Sequence, residues 1–233
     1  MYPIFFISYD EPEADEHYQN LLKFHPNAKR VHGVKGLYNA HRTCAEQCDD
    51  DFFYTVDGDT LLVKEIPEVI GTPNHVERWP SWNPLIGKAY GNASIKLWDK
   101  KRVISCEDNT KYENVSKELV MDNSQRIGTF SNIQYVINHN LILGVVRIVN
   151  NKHKWRSAFR EAMKIYMAGR MIIRDYKTLS LWTNSSDVMT WLGANEAIHM
   201  LHKDLYYIKI VNDFDELERI WLSKDRSLYT SIS

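Results

Sequence analysis

The chain has 233 residues, 44% of them hydrophobic and 25% charged, with a net charge of −1. That is the composition of an ordinary soluble globular protein with a sizeable core. It excludes a membrane-spanning chain, because no segment approaches the roughly 18 apolar residues of a span, and Cys44, Cys48 and Cys106 lack the spacing of a disulfide framework.

The start, Met1-Tyr2-Pro3, has no basic stretch or small-residue cleavage site, which predicts no signal peptide. The apolar run Ile4 to Tyr9 reads as a first strand, and Asp15 to Phe24 as a helix. Ala28 to His32 is a short strand, Leu37 to Cys48 a second helix, and Phe52 to Val56 the next strand. This alternation predicts a parallel sheet with helices on its faces, where ligands bind at the carboxyl ends of strands. Short strands are expected at Ala89-Tyr90, Ile95 to Trp98, Arg102 to Ser105 and Ile133 to Ile137, with a tight turn marked by Gly87, Gly91, Asn92 and Ala93. A helix from Lys154 to Ala168 carries Trp155, Phe159 and Met163 at helical spacing, and helical blocks follow over Val188 to Leu201 and Asp213 to Leu222.

Charge is unevenly spread. The N-terminal part is acidic (Asp10, Glu11, Glu13, Asp15, Glu16), whereas residues 147–177 are basic, with Lys154, Arg156, Arg160, Lys164, Arg170 and Arg174 among them. A basic stretch is ordinarily a solvated helix face, and it is also the footprint expected for a polyanion such as DNA.

Asp57-Gly58-Asp59 carries the most chemistry. Two carboxylates at the tip of a buried strand, with a glycine between them for close approach, suit a hard cation such as Mg²⁺ or Mn²⁺, and through it a diphosphate. Asp-Gly is also a common turn; the strand before it and the similar tip Asp10-Glu11 favour the metal reading. The loop His32-Gly33-Val34-Lys35-Gly36 lies at another carboxyl end, where backbone and the Lys35 charge could approach phosphate.

The strand ending Tyr9-Asp10-Glu11-Pro12, the stretch Asn27 to Gly36, the strand into Asp57-Gly58-Asp59, and Tyr90-Gly91-Asn92-Ala93-Ser94-Ile95-Lys96-Leu97-Trp98 resemble the GT-A glycosyltransferases of tailed phages. More closely, the chain resembles the enzymes of T-even-like phages that attach arabinose to 5-hydroxymethylcytosine in DNA. Trp155-Arg156-x-x-Phe159-Arg160-Glu161 and Gly193-Ala194-Asn195-Glu196 fit the same group, whereas Asn92-Ala93 stands where a glycine pair is expected.

The resemblance implies a single α/β domain of GT-A type over 1–233, with a mostly parallel Rossmann-like sheet. Residues 1–100 would bind the nucleotide sugar and 101–233 the acceptor. It implies a UDP-sugar donor, UDP-arabinose before UDP-glucose, and Mn²⁺ or Mg²⁺ held by Asp59 directly, with Asp57 on the ribose or a metal-bound water. His199, or His202, would be a third ligand. Tyr9, Asp10 and Glu11 would frame the uracil, with Lys35, Gly36, Gly58, Gly91 and Asn92 also on the donor. Glu161 and Asp187, with Glu196 third, are candidates for the group that takes the acceptor proton; the bland alternatives are a salt bridge for Glu161 and a helix N-cap for Asp187. Lys154, Arg156, Arg170 and Arg174 would hold the phosphates of double-stranded DNA, in the cytoplasm of an infected bacterial host. Another acceptor (lipid, polysaccharide or protein), or an inactive nucleotide- or DNA-binding protein, are the rival readings.

Overall fold

The computed structural model describes residues 1–106, 135–168 and 176–224. The first part runs β1 (Ile4–Ser8), α1 (Ala14–Phe24), β2 (Lys29–His32), α2 (Leu37–Glu46), β3 (Phe52–Asp57) and β4 (Thr60–Leu62). The middle adds β5 (His75–Asn83), β6 (Lys88–Asp99), α3 (Lys100–Ser105), β7 (Tyr135–Asn138) and β8 (Gly144–Val146). Helices α4 (Asn151–Ala168), α5 (Tyr176–Thr183) and α6 (Val188–Lys203), a 3-10 segment (Leu205–Asn212) and α7 (Phe214–Leu222) follow.

All eight described strands form one sheet in the order β2-β1-β3-β6-β5-β8-β4, with β7 also pairing with β5. The β2-β1-β3 part is parallel, as the strand–helix alternation predicts. Beyond β3 the sheet becomes mixed, because β6 runs antiparallel to both β3 and β5. It also curls. β4 starts three residues after the end of β3, a reach of at most about 11 Å, yet it lies four strands away in the hydrogen-bonded order, about 19 Å across a flat sheet. Only a sheet bent back on itself closes that gap.

Alternation along the strands divides the core into layers. Ile4, Phe6, Tyr54, Val56, Ile95 and Leu97 face α1 with Ala14 and Leu21. Phe5, Phe53, Val76 and Trp98 face α2 and α3, with Tyr38, Cys44, Ala45 and Val103. A separate helical core gathers Trp155, Phe159, Met163, Trp182, Leu201 and Leu217. The expected core stripe of α4 is therefore present, and Trp155, Phe159 and Met163 are fully buried. The three cysteines are buried and unbridged.

Two sequence expectations are corrected. Arg102 to Ser105 is the end of helix α3, not a strand: Asp99 caps it by accepting from the Arg102 N–H. The small residues 91–93 do not form a turn between two strands, because β6 continues through them. Trp79 pairs with Ile95 and Ser81 with Tyr90, so the stretch between Tyr90 and Ile95 bulges opposite Pro80, whose ring nitrogen has no proton for a ladder bond. The turn falls earlier, between β5 and β6, where Gly87 has a positive φ of 60°. Strands β4, β5 and β8 and helix α5 have no counterpart in the elements expected from the sequence.

Candidate functional site

The parallel strands end level with one another. Ile7 pairs with Asp57 and Ser8 with His32, so the residues after β1, β2 and β3 emerge side by side at the carboxyl edge. At the β3 tip, Gly58 sits in close quarters. A Cβ there would meet Glu11 Oε2 at 2.8 Å and the Ile7 carbonyl at 3.0 Å. Glu11 is fixed over this turn by accepting the Tyr9 backbone N–H at 2.7 Å. Beneath it, the buried His17 of α1 donates from Nδ1 to the Gly58 carbonyl at 2.9 Å.

The acid pair is differentiated. Asp57 lies 3.4 Å from the ammonium of Lys96, a mostly buried residue of the neighbouring strand β6. Among the described residues the Asp59 carboxylate receives only the Thr60 hydroxyl, at 3.3 Å. Burial, reinforced by the negative charges of Asp57 and Glu11, pushes the Asp59 carboxyl up to about 7.

Helix α4 lies across this edge and presents cations to it. Arg156, Arg160 and Lys164 repeat at a spacing of four, which places them on one helix face. Arg156 grips Asp10 with both terminal nitrogens, at 2.8 and 3.0 Å, and His153 and Lys152 stand 3.4 and 3.7 Å from the same carboxylate. Burial alone would raise the Asp10 carboxyl; hydrogen bonds from His153 and Arg156 overcome it and hold the group well below the usual carboxylate range. Arg160 donates to the Val211 carbonyl at 2.7 Å and to Asn212 at 3.0 Å, and its guanidinium lies 4.7 Å from the centre of the Phe214 ring. Burial pulls its pKa down, while Glu161, Asp59 and Asp57 act to hold its charge. Lys164 pairs with Glu161 at 2.9 Å and senses the charge of Lys96.

Other residues singled out from the sequence have different surroundings. Lys35 reaches Asp215 at the start of α7, at 2.5 Å and in solvent. Gly36, with φ of 91°, precedes α2 as its N-cap, and Tyr9 is exposed. Asp187 caps α6 by accepting from the Thr190 N–H at 2.9 Å, and pairs with Lys154 at 2.8 Å. Glu196 binds the Trp155 indole N–H at 2.6 Å and Lys224 at 2.5 Å. Lys154 and Arg156, expected on a DNA surface, thus direct their charge to internal acids. His199 is exposed on α6 and His202 packs against the Tyr166 ring. Gly91 and Asn92 lie within β6. Arg170 and Arg174 lie outside the described residues.

Among the described residues no three His, Cys, Asp or Glu side chains are arranged to hold a metal between them, so His199 does not join the acid pair here. The pair still fits a divalent cation. Its donors are hard oxygens, and the repulsion that raises Asp59 is what a cation relieves. Mg²⁺ in particular is bound by one or two carboxylates completed by water and substrate phosphates.

Sequence reasoning passed over Lys96, His17 and the role of Arg160. For Arg160 the signal was available, in the spacing of the basic row on α4. For Lys96 and His17 it was not, since only strand pairing and helix packing bring them under the acid turn.

Fold and site together define an α/β protein with a mixed, curled sheet flanked by helices, whose acidic strand tips face a cationic helix. No family profile and no curated protein sequence matches the chain. Solved structures of low identity do match. One is a glycosyltransferase involved in glycosylation of the major capsid of PBCV-1, 14% identical, covering 59% of this chain and 82% of that one with a TM-score of 0.37. A second is a mutant of the Drosophila β1,4-galactosyltransferase 7 in complex with manganese, UDP-Gal and xylobiose, 14% identical, covering 65% and 73% with a TM-score of 0.38. A third is the mannosyltransferase PcManGT from Pyrobaculum calidifontis in complex with GDP-Man and Mn²⁺, 10% identical, covering 96% and 88% with a TM-score of 0.41.

Proposed function

We propose that the chain is a metal-dependent glycosyltransferase of GT-A type that uses a nucleotide-diphosphate sugar, with UDP-arabinose as donor and 5-hydroxymethylcytosine in DNA as acceptor. The observation that carries the reading is the Asp57-Gly58-Asp59 turn, set beside the β1 tip at the carboxyl edge of a sheet and opposed by Arg160. The arabinose and DNA parts rest on the sequence resemblance.

In this reading, residues 1–100 bind the donor and the later residues the acceptor, with α4 reaching back over the diphosphate. Asp59 and Asp57 would hold Mn²⁺ or Mg²⁺, which when bound neutralises the diphosphate as it leaves. Lys96, 3.4 Å from Asp57, would orient that carboxylate. Arg160, held from behind by Val211 and Asn212, adds a fixed positive charge where negative charge develops. Tyr9 and Glu11 would border the nucleoside. Asp10 would do so only by sharing its carboxylate with Arg156. Glu161 and Asp187 both stand as candidates to accept the acceptor's hydroxyl proton; Glu161 pairs with Lys164 at 2.9 Å, and Asp187 caps α6 and pairs with Lys154.

The test is mass spectrometry of nucleosides from hydroxymethylcytosine-containing DNA after incubation with the protein, Mn²⁺ and a panel of UDP-sugars. A pentose mass on the modified cytidine is the expected result. The absence of both transfer and UDP release would overturn the reading. Release of UDP without transfer to DNA would instead favour the second reading, a glycosyltransferase with a different acceptor. That reading draws on the internal pairing of Lys154 and Arg156, which leaves Arg170 and Arg174 to carry a DNA surface.

A further inference from the structure

We infer that His17 is a positioning residue that sets the Asp57-Gly58-Asp59 turn for cation binding; this rests on the metal-dependent reading above. His17 lies on α1 and is completely buried. Its Nδ1–H donates to the Gly58 carbonyl at 2.9 Å, and that carbonyl belongs to the residue between the two acids. Fixing this peptide fixes the direction in which both neighbouring carboxylates leave the backbone.

The same helix holds the far side of the connection. Asn20, three residues on, accepts the Leu62 backbone N–H at 2.8 Å. Ala14 and Leu21, on the same face of α1, are buried in the sheet core and anchor the helix against it. The start of α1 is in turn tied to the β1 tip, through the Ala14 N–H to the Glu11 carbonyl at 3.1 Å. Helix α1 therefore holds the middle of the acid turn through Gly58 and the end of β4 beyond it through Leu62, while Glu11 lies against the same turn.

Packing alone does not account for an imidazole here. Its other nitrogen, Nε2, is buried with no hydrogen-bond partner among the described residues. A buried polar atom left unpaired is unfavourable, and an apolar side chain of similar size would avoid it. What histidine supplies and leucine cannot is the donor to Gly58. Metal sites are commonly tuned by such outer partners, whose loss lowers metal affinity about 10–100-fold.

The experiment is titration of Mn²⁺ in the presence of UDP, followed by electron paramagnetic resonance. It is run on wild type, His17→Leu, His17→Asn, His17→Gln and Asp59→Ala, with the melting temperature of each. The expected result is that His17→Leu remains folded yet binds Mn²⁺ at least about tenfold more weakly. His17→Asn, whose amide nitrogen can take the place of Nδ1, should recover most of the affinity; His17→Gln, whose amide sits further out, should not. Wild-type affinity in His17→Leu would overturn the inference. Should His17→Leu fail to fold, equal affinities for the Asn and Gln variants would do so. If wild type binds no Mn²⁺, or Asp59→Ala binds it equally well, the metal reading itself falls and takes this inference with it.

Discussion

The two halves of the molecule handle charge in opposite ways. In the sheet half, acids sit at the ends of buried strands. Asp57, Asp59 and Glu11 crowd one another, and Lys96 offsets them from within the sheet. In the helical half, cations are set on α4, and nearly every described one is already engaged: Lys154 with Asp187, Arg156 with Asp10, Lys164 with Glu161. The sheet half has more negative charge than its own residues neutralise, and the helical half is largely self-compensated. A charge map of the sequence shows an acidic region and a basic region. The structure shows that the described parts of these regions face each other: Arg156 and Lys152 reach Asp10 and Arg147 reaches Glu16, whereas Lys154 and Lys164 pair within the helical half. The unmet charge is at Asp59, and that is where a cation would act.

The largest expected effect comes from deleting that acid. Asp59→Ala should lower metal-dependent transfer about 1000-fold, the several kcal/mol a bound cation supplies, and addition of EDTA should change the variant's rate little. A variant with full activity in EDTA would break the acid side of the comparison. The helical half depends on a close approach instead. A Cβ on Gly193 of α6 would lie 2.2 Å from the Trp155 carbonyl of α4, so Gly193→Ala should destabilise the protein by about 3 kcal/mol, read from a denaturant midpoint. It should also loosen the row of cations that α4 carries.

A change at Arg160 sharpens the link between the halves. Arg160→Met should lower kcat/KM for the sugar nucleotide about 100-fold, with Arg160→Lys intermediate, because the lysine keeps the charge and loses the fixed hydrogen bonds to Val211 and Asn212. The smallest effect is one of pH. With the Asp59 carboxyl pushed up to about 7, a proton competes with the cation below that pH. Apparent Mn²⁺ affinity should fall roughly tenfold per pH unit below about 7 and level off above it. In the metal-free protein the sign is the reverse. A raised folded-state pKa favours the folded protein while Asp59 is protonated, and that contribution is lost as pH rises from about 4 through about 7. The two curves, measured by calorimetric titration and thermal melting, should cross-check the same group.

Much of the fold was legible in the sequence. Strands β1, β2 and β3 and helices α1, α2, α4, α6 and α7 announce themselves by apolar runs, helical spacing and caps such as Asp213, which accepts the Glu216 N–H at 3.0 Å. All three signals are local, set by a few neighbouring residues. Strands β4, β5 and β8 were not legible. β4 and β8 have three residues each, and β5 contains Pro80, so none has a periodic signal of its own. They become strands because the curled sheet offers them partners.

The site divides along the same line. Sequence alone determined that Asp57-Gly58-Asp59 would end a buried strand, because a run of five apolar or β-favouring residues followed by two acids has few other places to stand. Only the tertiary structure decided what surrounds it. Lys96 arrives by antiparallel pairing, His17 by the packing of α1 under the turn, and Arg160 from a helix about a hundred residues further along the chain. The same contacts gave Asp187 a capping role and drew Arg156 to Asp10. Charge and hydrogen bonding act over a few ångströms in space, and separation along the chain does not set those distances.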